Sequence, residues 1–147
     1  MKIDDAIQSK FNNNKHKAIV NIRYTSNYLN NLQNSFMSKF DLTVPQFNIL
    51  RILRGANKAI NVYTVKERMI EKSPNTTRLM DKLVSKDLII RTNSEIDKRT
   101  IYLEISEIGL ELLSQIDLKM NNDFLFSDNL TEDEAENLSL LLDKIRG

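Results

Sequence analysis

The chain has 147 residues, 41% of them apolar and 28% charged, which is enough for one packed domain and too apolar for a disordered chain. It has no cysteine and a single histidine, His16, which excludes disulfides, a thiol redox switch and metal sites rich in cysteine or histidine. The net charge of +1 hides an asymmetry: residues 1–57 carry eight Lys and Arg against three acids (+5), residues 58–99 ten against six (+4), and residues 100–147 three against eleven (−8). Such a division suggests one surface that meets a polyanion and another turned away from it, although two mixed solvated surfaces would give the same sums. No apolar run approaches membrane-spanning length, and Asp4 and Asp5 directly follow Lys2 and Ile3. Neither a membrane span nor a signal peptide is therefore expected, and a cytoplasmic location is.

Glycine and proline number only three and two, so helices should dominate. Ile3, Ile7 and Phe11 lie four apart and predict a short amphipathic helix over 2–11, ending at Asn12-Asn13-Asn14. Ile19, Ile22, Ser26, Leu29, Leu32, Phe36 and Phe40 keep a three-four spacing and predict a long helix. Thr43 is the expected cap of the next, with Pro45 in its first turn and Phe47, Ile49, Leu50 and Leu53 inward, stopping near Gly55. Beyond Ile60 the elements shorten. Asn61 is a cap for a helix burying Val62, Val65 and Met69, and Ser73 caps another, with Pro74 in its first turn and Thr76, Leu79, Met80 and Leu83 inward. Leu88–Thr92 and Arg99–Ile105 read as strands around a polar tip at 93–98, with Ile101, Leu103 and Ile105 alternating inward. Ser106 caps a helix carrying Leu110, Leu113, Ile116, Leu118, Met120 and Phe124. Thr131-Glu132-Asp133-Glu134 is a capping box for the last, with Ala135, Leu138, Leu141, Leu142 and Ile145 apolar. The expected fold is mainly α (α+β), its helix, helix, strand, polar loop, strand order being that of a winged helix-turn-helix.

Residues 42–109 resemble the MarR family of bacterial regulators. The similarity rests on Leu42, Thr43, Gln46 and Phe47 leading into a helix, on Thr77-Arg78-Leu79-Met80-Asp81-Lys82-Leu83, and most specifically on Asp97-Lys98-Arg99 followed by Ile101, Leu103, Ile105, Ser106 and Gly109. Asp87 departs from the pattern, standing where the family often has glycine, but aspartate tolerates a left-handed turn. The resemblance implies a single domain over 1–147, with 42–105 as the winged helix-turn-helix with a two-stranded β wing and 1–40 and 106–147 as dimerisation helices. It implies a homodimeric repressor that binds a pseudo-palindromic operator in double-stranded DNA, needs no cofactor or metal, and is not an enzyme.

With Thr76, Leu79, Met80 and Leu83 inward, Asn75, Thr77, Arg78 and Lys82 are left outward, where amide and guanidinium groups can read base edges in a major groove. A helix N-terminus at Ser73 favours a phosphate. By resemblance Arg99 enters the adjacent minor groove, Asp97 holds its side chain, and Lys98 contacts phosphate. The same residues would also serve as a solvated helix face with Asp81 as ion-pair partner, and Asp97 with Arg99 as a turn-stabilising pair.

Ile3, Ile7, Phe11, Phe124, Phe126, Leu130, Leu138, Leu141, Leu142 and Ile145 are the candidates for a dimer contact, or alternatively for closing a monomeric core. A small phenolic or lipophilic effector, as in many members of the resembling family, would have Tyr24, Tyr28 and Phe47 as pocket lining and His16 or Arg23 as polar contacts. Aromatics at this spacing also serve as core. The sequence holds no cysteine nucleophile, phosphate-binding glycine loop or paired acid-base set. The alternative to a DNA-binding regulator is a winged-helix adaptor or anti-regulator working through protein contacts, which predicts an acidic or apolar outer face.

Overall fold

The computed structural model describes residues 1–72, 74–123 and 129–147. Its elements in order are α1 (Ile3–Ile7), α2 (Asn14–Ser38), α3 (Val44–Ala56), β1 (Ile60–Asn61), α4 (Val62–Arg68), α5 (Thr76–Ser85), β2 (Ile89–Asn93), β3 (Ile101–Ile105), α6 (Glu107–Asp123) and α7 (Glu132–Arg146). Two compact units are present, residues 1–114 and 115–147, the boundary falling within α6.

In the first unit α3 is the central element. Thr43 caps it by accepting the Gln46 N–H at 3.3 Å, while Gln46 Oε1 accepts the Thr43 N–H at 3.0 Å. This reciprocal pair lets Gln46 be buried without an unmet polar group. Pro45 sits in the first turn as expected, and Phe47, Ile49, Leu50 and Leu53 are all buried. The helix ends at Asn57 in a left-handed conformation (φ 52°), two residues beyond Gly55. α3 packs against α2, α4, α5 and β3, so the apolar faces of α4 (Val65, and Met69 just past its end), α5 (Met80, Leu83) and β3 (Leu103) close on it.

The wing strands pair antiparallel with Ile89 opposite Ile105 and Asn93 opposite Ile101. They are joined by a third strand that the sequence did not signal. β1 pairs with β3 through Ile60–Leu103 and Asn61–Tyr102, giving the order β1-β3-β2. Two residues are too short for any periodicity to register. Asp87 adopts the left-handed turn its position requires (φ 60°). Ser106 then fastens both ends of the hairpin: its hydroxyl donates to the Asp87 carbonyl at 2.6 Å and accepts the Gly109 N–H at 3.0 Å, capping α6.

Other expectations are corrected. α1 is only five residues long, because Gln8 turns left-handed (φ 49°); Phe11 lies outside it and stacks edge-on against His16. Asn13 caps α2 by accepting the His16 N–H at 2.8 Å, so the asparagine run starts a helix as well as separating two. α5 starts at Thr76, not at Pro74. Asn75 is its N-cap residue, and α4 ends at Arg68. The Ser73 cap, Phe124 and Phe126 lie outside the described residues.

On α2's predicted inner face Phe36 is buried while Ile19 and Leu29 are exposed; off that spacing, Met37 is buried and Tyr24 and Tyr28 are exposed. In the second unit α7 begins at the predicted capping box, Thr131 Oγ1 accepting the Glu134 N–H at 3.3 Å and Glu134 Oε2 the Thr131 N–H at 2.9 Å. None of its side chains is buried; Leu138, Leu140, Leu141 and Ile145 are each about half exposed.

Candidate nucleic-acid interface

Helical spacing divides α5 into three strips. Thr76, Met80 and Leu83 are buried. Thr77 and Asp81, one turn apart, face the wing: Thr77 lines a cleft between α4, α5 and the hairpin, and Asp81 forms an ion pair with Arg91 of β2. Arg78 and Lys82, also one turn apart, are exposed on the remaining strip. Spacing alone predicts Thr77, Arg78 and Lys82 together on one outer face; the fold separates Thr77 from the other two. Asn75 moves from that face to the N-cap, and its side chain makes no cap bond there.

The cleft has a volume of about 380 Å³ and is lined by Asn61, Val62, Tyr63, Lys66, Thr77, Met80, Arg91, Arg99, Thr100, Ile101 and Leu103. Three cations, Lys66 of α4, Arg91 of β2 and Arg99 of the wing turn, therefore line one concave surface beside α5. One carboxylate, Asp81, opposes them through Arg91. The Glu67 carboxylate accepts a hydrogen bond from the Tyr63 hydroxyl and lies beside it, raising that phenol above its ordinary 10.0 and keeping it protonated. Arg91 was missed by sequence reasoning, though strand pairing gives a signal: it stands opposite Leu103, which lines the same cleft. Tyr63 and Lys66 reach the cleft only through the packing of α4 on the sheet, and nothing local announces that.

At the wing tip Lys98 and Arg99 are exposed. Asp97 does not hold the Arg99 side chain. Its Oδ1 accepts the Arg99 backbone N–H at 3.0 Å and its Oδ2 the Thr100 hydroxyl at 3.4 Å, and among the described residues no ion pair joins the two side chains. The reason is geometric: a carboxylate two residues before an N–H closes an Asx turn more easily than it reaches back to a guanidinium. Asp97 shapes the turn, and Arg99 is left available.

The proposed effector residues lie on α2 and α3. His16 and Arg23 are exposed, Tyr24 and Tyr28 are exposed on α2, and Phe47 is buried in α3 with Arg51 over its ring at 5.6 Å. None of the five lines the cleft.

A helix pair whose second member lies beside a cation-bearing β hairpin defines a winged helix-turn-helix. The transcriptional regulator SarA/Rot family matches residues 31–116, and the chain belongs to that family. It is 28% identical over 113 residues to the HTH-type transcriptional regulator SarZ of Staphylococcus aureus, covering 75% of this chain and 76% of that protein. Among solved structures it is similar to a cysteine-to-serine variant of MarR from E. coli complexed with operator DNA. That match has 27% identity, 93% of this chain and 99% of that one covered, and a TM-score of 0.75. The reduced form of E. coli MarR matches at 28% identity and TM-score 0.68, over 84% and 92% of the two chains. AbsC of Streptomyces coelicolor, at 16% identity and TM-score 0.76 over 94% and 96%, shares the fold. The protein is thus a transcriptional regulator of the MarR winged-helix type. No helix among the described residues is long and apolar enough to cross a membrane.

Proposed function

We propose that the protein binds double-stranded DNA sequence-specifically as a homodimer and represses transcription in the cytoplasm, without catalysing a reaction. The observation that carries this reading is the adjacency, on one surface, of the exposed Arg78–Lys82 strip of α5 and the cationic cleft formed with the wing. With α5 in a major groove, Arg78 reads a base edge and Thr77 meets a backbone or thymine methyl, while Asn75 stands at the helix N-terminus, where a phosphate is favoured. The hairpin beside it then meets the next stretch of backbone, Lys98 on phosphate and Arg99 in the minor groove, with Asp97 shaping the turn that presents them. The E. coli MarR variant to which this chain is similar is complexed with operator DNA, which supports the same partner here.

The whole chain acts as one functional domain, residues 42–105 contacting DNA and 1–40 with 106–147 forming the dimer. Two observations favour that division: apolar side chains of α2 and α7 lie open in the single chain, and residues 100–147 net −8, a charge suited to facing away from DNA. A small lipophilic effector that releases DNA would contact Tyr24, Tyr28, Phe47, His16 or Arg23 in a dimer that brings them together, and it must bind the released dimer more tightly than the DNA-competent one.

The test is selection of bound sequences from a random duplex pool by the full chain at near-physiological salt. An enriched inverted repeat, with half-site centres roughly 34–36 Å apart, is expected. No enrichment, with binding that barely responds to salt, would refute the reading and point to an adaptor working through protein contacts.

A further inference from the structure

The wing tip carries a feature that its charges do not explain. Ile96, at the apex, is fully exposed at 100% of its surface. Isolated exposed apolar residues are ordinary on helices and strands, but a hairpin apex favours polar residues that bond their own backbone. This apex is also braced. Ser94 Oγ accepts the N–H groups of Ile96 at 3.2 Å and Asp97 at 3.3 Å, Asn93 Nδ2 donates to the Lys98 carbonyl at 3.0 Å, and the Ser94 N–H donates to the Thr100 carbonyl at 2.9 Å. The turn that holds Ile96 outward is therefore closed by bonds on both sides of it. Over residues 94–99 the charges cancel, Glu95 and Asp97 against Lys98 and Arg99. A neutral tip gains no net Coulombic pull toward phosphate, so charge by itself is a poor account of how it engages a duplex.

We infer that Ile96 is a preformed apolar contact for the minor groove, packing against the deoxyribose walls beside the Arg99 guanidinium. This rests on the DNA-binding reading above and adds a contact to it. A β-branched side chain on a braced turn has few rotamers to lose on binding. The minor groove is about 6 Å wide, narrow enough for one aliphatic side chain to touch both walls. Fully burying an isoleucine is worth roughly tenfold to a hundredfold in an equilibrium constant, and partial burial between two sugars about five- to tenfold.

The experiment uses the full chain and the duplex recovered by selection, titrated by fluorescence anisotropy between 50 and 200 mM salt, roughly the range over which phosphate contacts declare themselves. Wild type is compared with Ile96→Ala, Ile96→Leu and Arg99→Ala. Ile96→Ala is expected to weaken binding about five- to tenfold per half-site, hence roughly 25- to 100-fold for a dimer on the inverted repeat, at every salt concentration with an unchanged salt slope, because an apolar side chain releases no counterions. Ile96→Leu should stay close to wild type, and Arg99→Ala should flatten the slope by about two, one for each protomer. If Ile96→Ala binds as wild type does while Arg99→Ala is weakened, the inference fails and the DNA-binding reading stands. A changed slope, or a lower Tm for Ile96→Ala in the absence of DNA, overturns it too, by assigning Ile96 to tip geometry. If wild type binds no duplex, both readings fall together.

Discussion

Gly109 lies three residues into α6 with its N–H on Ser106 Oγ, and a Cβ at this position would fall well inside contact of the Leu88 carbonyl oxygen and 2.8 Å from Ile105 Cγ1. The oxygen cannot move aside freely, because it accepts the Ser106 N–H at 3.0 Å and precedes the first residue of β2. Gly109→Ala therefore forces a shift of backbone, costing about 3 kcal/mol, the upper part of the usual range for overpacking. Alanine's helix propensity returns about 1 kcal/mol, leaving a net loss of about 2 kcal/mol. Gly55 supplies the control. It sits in α3 with nothing within 4 Å of where a methyl group would stand, so Gly55→Ala should gain up to about 1 kcal/mol by the same propensity difference. For a chain of this size those values correspond to a fall in Tm of about 4–8 °C and a rise of about 2–4 °C. Thermal unfolding followed by circular dichroism, at one fixed protein concentration because any self-association shifts Tm, measures both. A Gly109→Ala protein that melts at or above wild type would refute the claim that the close approach of α6 to the wing base demands glycine.

Arg99→Ala should weaken binding to the selected duplex by on the order of tenfold or more while light scattering still reports a dimer; unchanged affinity would remove Arg99 from the interface. Arg78→Ala should cost about 1–3 kcal/mol per half-site and relax base preference at one position of each, and a uniform loss across sequences would make it a phosphate contact instead. The Thr131 N–H and hydroxyl bond the Glu134 carboxylate and hold it below its ordinary 4.5. A depressed carboxyl stabilises the folded chain above that value and loses its contribution as pH falls through the lowered one. Glu134→Gln should accordingly melt further below wild type at pH 7 than it does near pH 3. An equal gap at both would show that the charge plays no part.

The Thr43 cap of α3, the capping box of α7, the buried face of α3, the left-handed turn at Asp87 and the hairpin around residues 93–98 were all legible in the chain itself. Each is decided within a few residues, by a side chain bonding a nearby backbone group or by apolar spacing matched to one period. The start of α5 was not. Pro74 looked like a first-turn residue, but the helix begins at Thr76, where packing of Thr76, Met80 and Leu83 sets the register. The role of Asp97 also changed, because proximity in sequence did not say which partner its carboxylate would take.

By itself, then, the sequence determined the order of elements, the family and the identity of the outward cations Arg78, Lys82, Lys98 and Arg99. Only tertiary structure decided that Thr77 and Asp81 face the wing, that β1 adds a third strand, and that Lys66, Arg91 and Arg99 share one cleft. The reason is one of range. Local hydrogen bonds and periodicity act over a turn or two of helix, whereas the cleft exists only where α4, α5 and the hairpin are fixed by separate contacts with the sheet and α3.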